Sequence, residues 1–113
     1  MGFLIKVLVT AVAAYVAAYL LSGVDIKDVQ TTVIVAFVLA LLNTFVKPIL
    51  VILTIPVTIL TLGLFLLIIN ALMVKWASIL VEGFRVDGWF SALLFSLIVS
   101  FVSYVINKII GEK

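Results

Sequence analysis

The chain has 113 residues, of which 67% are hydrophobic and 11% charged, with a mean hydropathy of +1.55 and a formal net charge of +2. A soluble domain carries about a quarter of its residues as charges, so this chain lacks a water-facing surface, and the bilayer is the solvent that suits it. It contains no cysteine and no histidine, which excludes disulfides, thiol chemistry, haem ligation and ordinary zinc sites; no cofactor is expected, and the scattered lysines form no nucleic-acid patch.

Four uncharged stretches follow one another: Val7–Val24, Val29–Val46, Ile49–Val74 and Gly88–Asn107. A crossing needs about 20 apolar residues. The first stretch follows Lys6 and could mimic a signal peptide, but it is long for one and more spans come after it, so it is expected to remain as the first span. A tight polar turn, Asp25 to Asp28, joins it to the second. The third stretch is too long for one crossing: a straight helix from Ile49 to Val81 would reach about 50 Å, against a hydrocarbon core of about 30 Å. Pro48 and Pro56 show where the excess goes, because proline removes a backbone donor and breaks or kinks a helix. Thr54, Thr58 and Thr61 can satisfy some of the freed groups.

Residues 47–56 therefore read as a short interfacial or re-entrant segment carrying Lys47, Pro48 and Pro56; the alternative is one long, tilted, Pro-kinked helix. The predicted fold is a single all-α membrane domain over 1–113, with four transmembrane helices (about 4–23, 29–46, 57–77 and 89–108) in an antiparallel bundle.

Flanking charge orients it. Lys6, Lys47, Lys108 and Lys113 share one side, and Lys27, Lys75 and Arg85 lie toward the other with Asp25, Asp28, Glu82 and Asp87. The positive-inside rule then predicts both termini in the cytoplasm and places Trp76, Trp89 and Tyr19 at the outer interface, where amphipathic rings anchor. A weak repeat runs at an offset of 60: Gly23–Asp28 matches Gly83–Gly88 in class, and Ala11, Ala17 and Leu20 fall on Ala71, Ala77 and Leu80. It suggests two helical hairpins related by an axis along the membrane normal.

Helices in lipid associate through small residues and interhelical hydrogen bonds, and each span carries such a stripe. They are Thr10–Ala14–Ala18–Ser22, then Thr32–Ala36–Ala40–Asn43–Lys47, then Gly63–Asn70–Ala77, and finally Ser96–Ser100–Ser103–Asn107. Two readings stay open: packing inside a bundle, or a water-filled path in an oligomer for which the serine stripe is the best candidate. Asn43 and Asn107 suit helix ends, Asn70 suits an interhelical contact, and Lys47 suits snorkelling to the headgroups, with a lipid-phosphate contact as the alternative. No Asp, Glu, His or Arg falls at mid-membrane, where coupled carriers and voltage sensors keep ionisable groups. No nucleophile–base pair or carboxylate pair exists for chemistry, so no enzyme is expected.

Asn43-Thr-Phe-Val-Lys-Pro48, Leu60-Thr-Leu-Gly63, Asn70 and Gly83-Phe-Arg-Val-Asp-Gly-Trp-Phe90, in this order and spacing, resemble the four-span phage holin family, superfamily IV. The resemblance covers nearly the whole chain and implies a four-span protein of the bacterial inner membrane. It leaves two activities to weigh: a structural or regulatory role in the cell envelope, as in chromosomal relatives associated with envelope stress, and a holin-type oligomeric pore or lesion. The candidate partners are membrane lipids, further copies of the chain and other envelope membrane proteins.

Overall fold

A computed structural model describes residues 2–111. Helix α1 (Phe3–Leu20) leads through strand β1 (Val24–Ile26) to α2 (Val29–Leu41), a π-helical turn (Leu42–Val46) and α3 (Lys47–Leu53). A short α4 (Ile55–Leu60) precedes α5 (Phe65–Leu80), strand β2 (Phe84–Val86) and α6 (Gly88–Ile109). The protein is an all-α membrane protein. By length and composition α1, the continuous run Val29–Leu53 and α6 suffice to cross a bilayer, while α5 is a shorter apolar helix.

Local chemistry sets the boundaries. Asp28 caps α2: its carboxylate accepts the Thr31 amide at 2.7 Å, and the Thr32 hydroxyl donates back to the Asp28 carbonyl at 2.9 Å. Pro48 does not break the second helix; the break expected within 47–56 falls at its far end. The preceding turn widens to π geometry, and Pro48 then sits in the first turn of α3, where its missing donor costs little. The chain breaks later. At Thr54, whose hydroxyl donates to Leu50 O at 2.7 Å, Pro56 opens α4. Leu62 and Gly63 then adopt left-handed φ values of 57° and 89°, and the Gly63 amide donates to Thr58 O at 2.8 Å, closing α4 as a helix-ending loop. The Thr61 hydroxyl accepts the Phe65 amide at 3.1 Å and starts α5. The third long helix thus occupies Phe65–Leu80 rather than 57–77, and α3 and α4 bury no residue of their own.

The two hairpins, α1–β1–α2 and α5–β2–α6, meet at one end of the molecule. There β1 and β2 pair antiparallel with Val24 opposite Val86, Asp25 opposite Arg85 and Ile26 opposite Phe84. Flanking the pair, the Lys27 amide donates to Gly83 O at 2.9 Å and the Asp87 amide to Gly23 O at 2.8 Å. Adding 60 to the first strand's numbers converts each contact into its partner, so the clip has an approximate two-fold axis through Asp25 and Arg85. Two glycines permit it. A Cβ on Gly23 would lie 2.2 Å from Ser91 Oγ, and Gly83 has φ +92°. Arg85 pairs with Asp87 and, at 3.4 Å, with Asp25.

Helix α1 packs on both α2 and α6, and α5 packs on α6. The contact surfaces are small: Ala13, Ala14, Ala17, Ala36, Ala77 and Ala92 are fully buried, which lets backbones approach closely where lipid offers no hydrophobic drive. Phe84 and Phe95, with ring centroids 5.4 Å apart, fill the core below the clip.

Candidate functional site

The polar stripes of four helices converge at the end of the bundle opposite the clip. Between α1, α2, α5 and α6 lies a cavity of about 220 Å³. Its floor, near mid-bundle, is Leu39, Met73, Val74 and Phe95, all at most 3% exposed. Thr10, Asn70, Ser96 and Ser100 line its walls, and Lys6, Asn43, Lys47, Ser103 and Asn107 stand toward the helix ends. Register explains the convergence. Thr10 and Asn70 are 60 residues apart, as are Leu39 and Val99, Asn43 and Ser103, and Lys47 and Asn107; each pair comes from equivalent positions in the two hairpins, so the cavity lies along the axis that passes through the clip.

The electrostatics are one-sided. Lys6 and Lys47 both line the cavity, and among the described residues no carboxylate does. Both cations belong to the first hairpin, because position 66 is leucine and position 107 asparagine. Lys6 Nζ donates to Thr44 Oγ1 at 3.4 Å, and Ser96 Oγ donates to Leu93 O at 2.8 Å within its own helix. Asn107 Oδ1 is buried and receives no hydrogen bond from the described residues. Among the described residues no group of metal-ligating side chains occurs, and the lining offers hydroxyls, amides and ammonium groups.

The structure brings Asn43, Lys47, Asn70, Ser96, Ser100, Ser103 and Asn107 to this one cavity. Pro48 and Pro56 shape the path of the chain away from it. Trp76 and Trp89 lie toward the clip end, in the second half of α5 and the first turn of α6, with Trp89 half exposed. Sequence reasoning missed Lys6, which it treated as a flanking charge. The signal was present: Lys6 stands one turn before Thr10 and extends the first helix's four-residue stripe.

Comparison with family models shows the family. The model described as "Mycobacterial 4 TMS phage holin, superfamily IV" matches residues 1–105. The chain belongs to this family. It is 41% identical over 98% of its length to "Uncharacterized protein SCO3922" of Streptomyces coelicolor, covering 97% of that protein. It is 37% identical over 96% of its length to "Uncharacterized membrane protein YvlD" of Bacillus subtilis, covering 92% of it. No solved structure matches. The segments that resemble this four-span holin family fall at structural joints: Asn43–Pro48 forms the π turn and part of the cavity, Leu60–Gly63 ends α4, and Gly83–Phe90 builds β2 and opens α6.

Proposed function

We propose that this member of the holin family is a non-catalytic protein of the bacterial cytoplasmic membrane with a structural or regulatory role in the envelope, exercised through its polar cavity, with both termini in the cytoplasm. The observation that carries this reading is where the serine stripe points. Ser96, Ser100 and Ser103 line a cavity inside one chain, and that cavity ends on a floor of Leu39, Met73, Val74 and Phe95. A water path along the stripe would have to pass through these packed side chains, and apolar constrictions dewet and close. Proteins that bind rather than conduct use such a blind, polar-lined recess. Among the described residues that line it there is neither carboxylate nor imidazole to act as a general base.

The second reading, a holin-type oligomeric lesion, is favoured by family membership; copies of the chain would then line a path with other surfaces. The test is inducible expression with a voltage-sensitive dye, read against the amount of inserted protein. The membrane potential should stay intact as the protein accumulates. Depolarisation in proportion to inserted protein would replace the envelope reading with the pore.

A further inference from the structure

We infer that the cavity binds the phosphate of an anionic phospholipid with a hydroxylated headgroup, of the phosphatidylglycerol type, drawn from the leaflet at the open end of the bundle. The inference rests on the binding reading above and names its ligand.

The first ground is charge. A lysine at a helix end ordinarily extends its ammonium group to the membrane surface. Here Lys6 and Lys47, from different helices, line the same recess, and no carboxylate among the described residues lines it with them. Like charges lining one recess repel one another, and an opposite charge relieves that repulsion. The equivalent positions sixty residues on carry no charge: Leu66, which does not line the cavity, and Asn107, which does. A single anion between the two ammonium groups removes the repulsion, and the hydroxyls of Thr10 and Ser103 and the amide of Asn43 supply further donors for its oxygens.

The second ground is Asn107. Its buried Oδ1 needs a donor. A phosphodiester has none of its own, but a glycerol headgroup carries hydroxyls that donate. Size agrees. A cavity of about 150 Å³ holds one benzene, so 220 Å³ has room for a phosphate with a short polyol. The remaining ground is place: the recess opens toward the start of α1 and the end of α6, while its inner part is walled by Val9, Leu39 and Val99, against which acyl carbons can lie.

The experiment is native mass spectrometry of the full chain in neutral detergent, with phosphatidylglycerol, phosphatidylethanolamine, phosphatidic acid, glycerol phosphate or inorganic phosphate added. One phosphatidylglycerol should remain per chain in preference to phosphatidylethanolamine. Lys6→Gln and Lys47→Gln should each weaken retention about fivefold, the double variant Lys6→Arg with Lys47→Arg should keep it, and Lys27→Gln at the clip end should leave it unchanged. Asn107→Ala should abolish the preference for phosphatidylglycerol over phosphatidic acid. Circular dichroism and elution profile establish that each variant is folded; if a glutamine variant does not fold, the arginine pair and Asn107→Ala still decide. Equal retention of the zwitterionic lipid, or retention indifferent to both lysines, overturns the inference. Displacement of the lipid by glycerol phosphate or inorganic phosphate at equal concentration assigns the site to a soluble anion and overturns the lipid assignment. A chain that keeps no phosphatidylglycerol but leaves the membrane potential intact loses this inference alone; one that depolarises cells loses the envelope reading.

Discussion

Asp28 shows how one side chain at the membrane edge controls where a helix begins. Its hydrogen bond from Thr31 holds the carboxyl below its ordinary value of 3.8. A depressed folded pKa means that the cap contributes fully above the unfolded value and is lost as pH falls through the folded one. Unfolding in detergent should therefore be flat above about pH 5 with respect to this group, and the cap should weaken only below its ordinary value. Asp28→Asn, which still accepts, should keep most of the stability and lose that pH dependence, whereas Asp28→Ala should lose the cap at every pH; thermal melts across acidic buffers check both. Arg85, held above its ordinary value by Asp87 and then Asp25, remains charged throughout this range. Asn70 tests the cavity from the inside. Its amide faces the recess, so Asn70→Leu should shift unfolding by no more than about 1 kcal/mol while reducing retention of phosphatidylglycerol. A loss several times larger would show that the amide instead bonds across helices.

At the scale of elements, alanine sets how closely the helices approach. Ala17 and Ala77 are equivalent by the offset of 60, both fully buried, and the carbonyl of each accepts the amide of the residue that caps its helix, Leu21 or Val81, at 3.0 and 2.9 Å. Ala17→Leu and Ala77→Leu should each destabilise by about 1–3 kcal/mol through overpacking, measured by unfolding in detergent; equal and small effects from both would mean that the helices have room to separate. Hydropathy made the four apolar stretches legible, and the spacing of charges made the clip legible as two turns. The breaks were harder to read. Pro48 has the sequence signature of a helix end, yet a π turn and a first-turn position absorb it, and nothing in the sequence marks Leu62 for a left-handed conformation. The candidate site was visible only as separate stripes. Their meeting depends on the register between hairpins, which the β-clip fixes; the repeat that encodes this register, matching Thr10 with Asn70 and Asn43 with Ser103, rests on class similarity more than identity.

For the whole molecule, the first prediction is its orientation. Glu82→Cys in the clip and Lys108→Cys near the end of α6 lie at opposite ends of the bundle, and an impermeant thiol reagent applied to intact cells should label Glu82→Cys alone. Labelling of Lys108→Cys alone would invert the orientation, and labelling of both would deny that the bundle spans the bilayer. The unequal helices have a further mechanical consequence. Helix α6 has 22 residues, about 33 Å, and overreaches a hydrocarbon core of about 30 Å. Its neighbour α5 has 16, about 24 Å, and falls short. Lipid beside α6 is met at full height, while lipid beside α5 must compress or the helix must expose polar ends to acyl chains, at a cost that rises with every ångström of mismatch. The protein should thus impose a lopsided thickness on its annulus and recruit shorter chains to one flank. Reconstituted in phosphatidylcholines of graded acyl length, its melting temperature should peak in a bilayer thinner than α6 alone would select, and extending α5 by one apolar turn should move that optimum toward longer chains.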